Sequence, residues 1–319
     1  MARRARRPLD GRPRAPTHCR MADPTLSTLA DRLDASPDYH VLRRFDPPRS
    51  YAVPAGGEQI RTAAALDVET TGMDRRADAV IQLSMVPFTY DAESGRIFDV
   101  GETLSYFEDP GRPIPPEIVE LTGITDADVA GQRIDEAAVA AALAPVSLVI
   151  AHNADFDRPF TERRLAAFRD KPWACSVRDV PWRQLGLSSS ALEYLLMKRC
   201  RCFYGAHRAD QDALALIHLL ATPLDDGTPP MRLLLDSARK GTVRIWAEGS
   251  PIETKDLLKA RRYRWNPGTD GRPKAWHREV PVDEQAAELA WLFANVYGGA
   301  KRELRTDVVD ARVRYSDRT

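Results

Sequence analysis

The spacing of apolar residues predicts an α/β domain between residues 62 and 222. Short apolar runs predict strands over 63–68, 79–90, 96–107, 147–151 and 173–176. Apolar residues three or four positions apart, or a helix-opening proline pair, predict helices over 115–121, 135–143, 157–168, 190–198 and 208–220. Strands that alternate with helices in this way predict a sheet with helices on its faces.

The segments that flank this domain differ from it in composition. Residues 1–20 contain seven arginines, three prolines and one acid, which is typical of a disordered basic tail, and Met21 is an alternative start. Residues 21–61 form an N-terminal extension with a predicted helix over 26–33. Residues 223–238 are predicted to be a linker, and residues 300–319 a flexible tail.

A small α+β accessory domain is predicted over residues 239–299. Its residues 239–278 contain 11 lysines and arginines against 4 acids, with aromatic residues between them. Basic side chains neutralise phosphates and aromatic rings stack on exposed bases, so this unit is a candidate for binding nucleic acid. The alternative is that the tryptophans form the core of a small domain, and both interpretations can hold. The candidate contacts are Lys259, Arg262, Trp265 and Trp276.

Charge, cysteine spacing and hydropathy argue against a strongly basic protein, a zinc-binding protein and a membrane-spanning protein. The 46 basic and 46 acidic residues give a net charge of zero, so any attraction to nucleic acid must come from local patches. Of the four cysteines, Cys200 and Cys202 form a CxC pair that lacks a second pair of zinc ligands. Reduced thiols in a cytoplasmic protein are the better interpretation. No apolar run reaches the ~18 residues of a membrane span.

Two acids at the end of the first predicted strand indicate a metal site. Asp67 and Glu69 are two residues apart, so their side chains lie on the same face of the strand. Neighbouring carboxylates repel each other unless a cation lies between them. The alternative is a solvated strand end.

Two more acids follow at helix starts. Asp157 comes after the strand over 147–151, where a helix cap is the alternative role, and Asp212 lies in the first turns of the helix over 208–220, just after His207. Carboxylates suit Mg²⁺ or Mn²⁺, and two such ions about 3.5–4 Å apart can hold both oxygens of a phosphodiester displacement. A histidine is suited to accept the proton of the attacking water.

Three motifs in this order carry a family resemblance. They are DVETTG at 67–72, HNADFD at 152–157 and HRADQDA at 207–213. Residues 62–222 resemble the 3′→5′ exonuclease superfamily that has four acidic metal ligands and a catalytic histidine, in particular its DNA polymerase III epsilon-subunit type. The segment from Leu257 to Trp276 also resembles small HARP-like modules, over about 35 residues.

The resemblance implies a ribonuclease-H-like fold with a mixed five-stranded sheet. It implies that two divalent ions, Mg²⁺ or Mn²⁺, are held by Asp67, Glu69, Asp157 and Asp212, with His207 as general base. It implies that the 3′-terminal nucleotide is contacted by Thr70, Thr71, Gly72, Met73 and Asn153. The expected activity is release of nucleoside 5′-monophosphates from 3′ ends of single-stranded DNA, in repair or proofreading.

Some features leave alternatives open. Gln82 stands where many relatives carry an acid, and Pro159 supports Asp157 as the first residue of its helix. The residues of the motifs contact phosphate, sugar and metal, so they do not separate DNA from RNA. A 3′→5′ exoribonuclease is therefore an alternative. A catalytically silent nucleic-acid-binding protein is an alternative of another class. Association with a polymerase or a repair partner also stays open.

Overall fold

A computed structural model describes residues 24–318, which divide into two units at Arg43/Arg44. The described part of the first unit contains one helix, Pro24–Asp34, in agreement with the helix predicted over 26–33. In this unit Arg43 donates to Asp31 at 2.7 Å. The basic tail predicted over 1–20 lies outside the described residues.

The second unit contains nearly all of the regular elements. The strands are β1 (Arg43–Arg44, at the boundary), β2 (Ile60–Thr70), β3 (Val80–Asp91), β4 (Ile97–Val100), β5 (Leu104–Phe107), β6 (Val146–Ala151), β7 (Trp173–Cys175), β8 (Cys202–Phe203), β9 (Thr242–Ala247), β10 (Arg264–Asn266), β11 (Ala275–Pro281) and β12 (Thr306–Val309). With Pro24–Asp34 as α1, the helices are α2 (Pro116–Thr122), α3 (Asp126–Val129), α4 (Glu136–Leu143), α5 (Ala154–Arg164), α6 (Ser176–Asp179), α7 (Leu192–Leu195), α8 (Ala209–Ala221), α9 (Pro230–Ala238), α10 (Lys255–Ala260) and α11 (Gln285–Asn295).

The main sheet has the order β4-β3-β2-β6-β7, with β5 also paired to β3. Strands β2, β6 and β7 are parallel, whereas β3 is antiparallel to β2. The single strand predicted over 96–107 is two strands, because the chain turns at Gly101, where a Cβ atom would lie 2.9 Å from Pro87 Cγ. The sheet therefore has six strands rather than five.

Apolar residues on both faces of β2 place this strand at the centre of the domain. Ala63 and Ala65 are buried in one cluster with residues of α8 and α9, while Ala64 and Leu66 are buried in another with residues of α4 and α5. Because successive side chains of a strand point to opposite faces, helices cover both sides of the sheet. The helices cover the faces of the sheet, so the edge formed by the strand ends is available for a functional site.

The predicted linker, residues 223–238, is mostly helical. Helix α9 buries Met231, Leu234 and Leu235 in the same cluster as α8. Arg232 donates to the carbonyl of Glu93 in the β3–β4 turn. The linker prediction was therefore wrong for 230–238, because the proline-rich composition before the helix hid its apolar spacing of three and four.

The N-terminal extension also differs from its predicted boundary. Residues 44–61 belong to the same unit as the sheet: Phe45 is buried in its core, and the amide of Tyr51 donates to the carbonyl of Phe98 at 2.9 Å. These residues cover the outer strands because β3 and β4 present apolar side chains there.

The accessory domain is an antiparallel sheet of order β10-β11-β9-β12. Val243 and Ile245 of β9 are buried in one cluster with Leu292 of α11 and with Val296, which directly follows that helix. The predicted end at residue 299 is too early, since β12 pairs with β9 and completes the sheet. Among the described residues, no helix combines the length and apolarity needed to span a membrane.

The segment after β12, residues 310–318, is anchored to the domain of the main sheet, so the prediction of a flexible tail over 300–319 was wrong for these residues. Arg158 is fully buried and donates to the carbonyls of Ala311 at 3.2 Å and Arg314 at 2.6 Å, and also to that of Arg312. Its Nε donates to Glu162 at 2.7 Å. A buried guanidinium needs such acceptors, and its partners lie more than 150 positions away, beyond the reach of local pattern.

We expect Arg158→Ala to lower the free energy of unfolding by about 3–5 kcal/mol, because it removes one partner of a buried ion pair and the donor for three carbonyls. Urea unfolding would measure this, and limited proteolysis should cut within 310–318 in the variant. The exposed Arg133→Ala is the control. An unchanged urea midpoint for Arg158→Ala would contradict the anchoring role.

Candidate active site

The sheet topology brings the predicted acids to one edge. Strands β2 and β6 are parallel, so their carboxyl ends lie at the same edge of the sheet. Asp67 and Glu69 lie near the end of β2, and the chain leaving β6 enters α5, which carries Asp157. The register of β2 on β3 shifts between Glu69 and Thr70, which ends the regular pairing just after the acids.

The four acids are close neighbours. Carboxylate oxygens of Asp67, Glu69 and Asp212 all lie within 4.8 Å of one another. Asp157 is buried, and its Oδ1 accepts a hydrogen bond from the amide of Val68 at 3.2 Å, which holds it against β2 between the two strand acids. The structure thus assembles all four acids that the motifs predicted.

Burial and mutual repulsion raise the pKa of each of these carboxyl groups. Burial raises the pKa of Glu69 to about 7, and the charge of Asp212 adds to this. Burial, then the charge of Asp157, raises the pKa of Asp67 well above its usual range. Burial also raises the pKa of Asp157, against the opposing hydrogen bond from Val68. Ionisation of all four carboxyl groups together therefore costs free energy that the neighbouring side chains do not offset.

A divalent cation fits this cluster. Hard oxygen ligands at this spacing are what Mg²⁺ and Mn²⁺ prefer, and a bound cation removes the repulsion that raises the pKa values. The four acids Asp67, Glu69, Asp157 and Asp212 are the residues that would hold it.

A short loop fixes His207 beside Asp212. Tyr204 donates from its hydroxyl to Asp212 Oδ1 at 2.5 Å, and the amide of Arg208 donates to Oδ2 at 3.0 Å, so the carboxylate pins both ends of the loop. Between these contacts His207 is exposed and has a φ of 64°, a left-handed conformation that costs a non-glycine residue free energy. Tyr204 was not predicted from the sequence, because nothing in its local pattern marks it as a partner of Asp212.

The helix that carries Asp157 begins earlier than predicted. Helix α5 starts at Ala154, so Asp157 is at the end of its first turn and Pro159 lies inside the helix. A proline at 159 cannot donate to the carbonyl of Asp155, and Arg75 donates to that carbonyl instead, at 2.5 Å. Arg75, which is distant in sequence, therefore supplies the hydrogen bond that Pro159 cannot donate.

The loop after β2 is rigid, and its residues divide into two groups. Thr70 and Thr71 are buried, and their hydroxyls donate to the carbonyl of Gly72 at 2.6 Å and to Asp78 Oδ1 at 3.0 Å. A Cβ atom at Gly72 would lie 2.5 Å from the Asp78 carboxylate, so any larger residue would have to displace that side chain. By contrast, Met73 is 77% exposed, and Asn153 is also exposed, so both are available to substrate.

Two further polar residues, His152 and Gln82, make hydrogen bonds next to the acids. His152 Nε2 lies 2.7 Å from the carbonyl of Ser190, which requires a proton on Nε2, so Nδ1 accepts from the hydroxyl of Ser176 at 2.5 Å. Gln82 is buried, and its Oε1 accepts from the amide of Ala209 at 3.4 Å, at the start of α8. Gln82 thus links β3 to the helix that carries Asp212.

Of the four candidate nucleic-acid contacts of the accessory domain, three lie together and Arg262 lies apart from them. Trp265 is 47% exposed, and its ring centroid lies 5.6 Å from that of Trp276, over which the Lys259 ammonium lies at 6.0 Å. Trp276 also packs against the core of this domain, which agrees with the alternative that the tryptophans form that core. Arg262 is exposed and lies elsewhere, in an arginine-lined cleft.

We expect two opposing pH dependences in the stability of the metal-free protein. Glu69 has a folded-state pKa of about 7, above its usual 4.5, so the stability it contributes in the protonated form is lost as pH rises from about 4.5 to 7. Burial lowers the pKa of His152 to about 4 from 6.5, so its contribution is lost as pH falls below 6.5. Melting temperatures in EDTA from pH 4 to 9 measure both effects.

Addition of Mg²⁺ should remove the loss of stability that accompanies a rise in pH. The loss that accompanies a fall in pH should be unchanged, since His152 lies outside the acid cluster. If the loss with rising pH persisted at saturating Mg²⁺, the carboxylates would not be its source.

Comparison with known proteins agrees with this geometry. The family model described as Exonuclease matches residues 64–220. The DNA polymerase III subunit epsilon of Treponema pallidum is 28% identical over 167 residues, which cover 50% of this chain and 74% of that protein. The PolC-type DNA polymerase III of Thermotoga maritima is 30% identical over 139 residues, which cover 43% of this chain and only 9% of that protein.

Solved structures are similar over a larger part of the chain. An E. coli exonuclease I complex with single-stranded DNA aligns with a TM-score of 0.48 and 18% identity, over 70% of this chain and 64% of that one. Exonuclease X bound to duplex DNA with a 5′ overhang aligns with a TM-score of 0.36 and 22% identity, over 53% of this chain and 99% of that one.

The central six-stranded mixed sheet confirms the predicted α/β, ribonuclease-H-like fold class. The family match spans the three motifs, and the acids of those motifs meet at one sheet edge. Residues 64–220 therefore form an exonuclease domain of the DEDD-type 3′→5′ exonuclease superfamily.

Proposed function

We propose that this protein hydrolyses single-stranded DNA from its 3′ end, with two divalent ions, Mg²⁺ or Mn²⁺, and releases nucleoside 5′-monophosphates. The observation that carries the proposal is the acid cluster, in which oxygens of Asp67, Glu69 and Asp212 lie within 4.8 Å, with Asp157 beside them. When bound, two such ions supply a clamp for the attacking and leaving oxygens of a phosphodiester.

The side chains around the cluster have distinct roles in this proposal. Asp67, Glu69, Asp157 and Asp212 hold the ions. His207, exposed and adjacent to Asp212, accepts the proton of the attacking water. The rigid backbone from Thr70 to Gly72 contacts the terminal nucleotide, while exposed Met73 packs against its base and Asn153 contacts the backbone.

Support for DNA comes from the relatives, which are named as subunits or forms of DNA polymerase III. This chain spans about three quarters of the epsilon subunit but less than a tenth of the PolC-type enzyme. A role in repair or proofreading, and association with a polymerase, are parts of the same proposal.

The test is digestion of 5′-labelled single-stranded DNA and RNA of equal sequence, with Mg²⁺, Mn²⁺ or EDTA. A ladder that shortens from the 3′ end of DNA only when metal is present is the expected result. Faster digestion of RNA would replace DNA by RNA as the substrate. A folded protein that cleaves neither but binds either would indicate a catalytically silent nucleic-acid-binding protein.

A further inference from the structure

A cleft of about 460 Å³ lies between the exonuclease domain and the accessory domain. Its lining includes eight arginines and one histidine against three acids. One wall comes from the exonuclease domain and includes Arg75 and Arg178. The other comes from the accessory sheet and includes Arg244 and Arg264. The volume is within the range of ligand pockets, and the charge favours an anion.

Sheet register explains why the arginines are on one face. Arg244 on β9 pairs with Glu279 on β11, and Arg264 on β10 pairs with His277 on β11. The alternate positions of β9, such as Ile245, are buried against α11. The arginines therefore project from the face of the sheet that α11 leaves uncovered.

The positive charge of the cleft is only partly compensated within the protein. Arg244 binds Glu279 through Nε and Nη2, but its buried Nη1 has no hydrogen-bond partner among residues 24–318. Arg262 and Arg264 are exposed, and within the same described range neither has an acidic partner. Burial and the nearby charge of Arg244 lower the pKa of Arg272, as expected for cations held together. A bound anion would relieve both the repulsion and the unsatisfied donor.

The cleft begins next to the acid cluster. Arg75 lies two residues after Met73, and its guanidinium contacts the carbonyl of Asp155. Asp155 also lines the cleft and lies two residues before Asp157 on α5. The cleft and the acid cluster thus share helix α5, so a strand whose 3′ end lies among the acids can extend toward the cleft.

We propose that this cleft binds the backbone phosphates of the strand whose 3′ end is in the acid cluster, a few nucleotides from the end. The inference rests on the proposed function and extends it. Arginine forks suit phosphate oxygens, and contacts to phosphate hold a strand without selecting its sequence. Trp276 pairs with the core residue Ala247, so it lies on the opposite face of the accessory sheet, outside the path proposed for the strand.

The test compares two variants of equal charge loss in the full chain. Arg262→Gln with Arg264→Gln removes two exposed cleft cations, and Lys255→Gln with Lys301→Gln removes two exposed cations of the same domain that do not line the cleft. Fluorescence anisotropy in EDTA gives the affinity for labelled dT15 and dT3. Hydrolysis of dT3 with Mg²⁺ reports on the acid cluster separately.

We expect the cleft variant to bind dT15 about tenfold more weakly than the lysine control, which corresponds to about 1.4 kcal/mol. The dependence of log affinity on log salt should become shallower by about 1.4, because two phosphate contacts are lost. Hydrolysis of dT3 should fall less than dT15 affinity, since a trinucleotide places fewer phosphates in the cleft. Arg244→Met, which removes the unsatisfied donor, should also weaken dT15 binding.

Equal dT15 affinity and salt dependence in the two double variants would overturn the inference. So would a cleft variant that keeps its dT15 affinity but no longer binds inorganic phosphate in calorimetry, because the cleft would then bind a small anion. Binding in EDTA does not need hydrolysis, so an inactive wild-type protein whose dT15 affinity falls in the cleft variant would refute the proposed function and leave the cleft inference standing.

Discussion

Asp67→Asn should lower kcat at least about a thousandfold, which corresponds to about 4 kcal/mol of transition-state stabilisation. Asp67 lies with Glu69 and Asp212 in the acid cluster, and burial and its charged neighbours raise its pKa well above the usual range. Asparagine keeps the shape of the side chain but removes its charge, so metal binding is lost with little change in packing. Rates with labelled single-stranded DNA over a range of Mg²⁺ concentrations would measure this.

The same substitution should raise the melting temperature of the metal-free protein above pH 7, because one of the repelling carboxylates is gone. This opposite change in stability and activity separates loss of a metal ligand from misfolding. Asp99→Asn, at an exposed position of β4, is the matched control and should change neither. Asp67→Asn protein that kept its rate within threefold, or that melted lower at pH 8, would contradict the metal-ligand assignment.

His207→Ala should lower kcat by about 10²–10⁴-fold, the usual contribution of a general base. KM and the Mg²⁺ concentration for half-maximal rate should stay within about twofold, because the loop contacts to Asp212 come from Tyr204 and the amide of Arg208 rather than from the imidazole. Added imidazole should restore part of the rate, since it can accept the same proton from the space left by the side chain.

Arg208→Ala is the neighbouring control, because it removes an exposed side chain but keeps the backbone amide that binds Asp212. Its rate should stay close to that of the wild type. A His207→Ala variant whose rate falls only through a higher KM would assign His207 to substrate binding, and the proton would need another acceptor.

The acid cluster could be predicted from the sequence because each of its members lies in a short local pattern. Asp67 and Glu69 end a buried strand, and Asp157 and Asp212 lie in the early turns of helices that follow strands or loops. Parallel pairing of β2 with β6 then brings such positions to one edge. Strand periodicity and the family motifs together were enough for this part of the molecule.

The features that sequence did not reveal depend on distant contacts. The start of α5 was misplaced because Pro159 is compatible with a helix only when Arg75 satisfies the carbonyl of Asp155. The cleft was missed because which face of the accessory sheet carries Arg244 and Arg264 depends on its register with β11. Composition predicted that this domain is basic, but not where its charge lies.

The anchoring of residues 310–318 has a consequence for how the protein is made. Arg158 leaves the ribosome 156 residues before Arg314, whose carbonyl it binds. At about 5–20 residues per second, its acceptors appear roughly 10–30 s after it does. During that interval the nascent exonuclease domain holds an arginine that has Glu162 as a partner but lacks its three carbonyl acceptors. Completion of the catalytic domain therefore waits for translation of the accessory domain, and the two mature together rather than in the order in which they are synthesised.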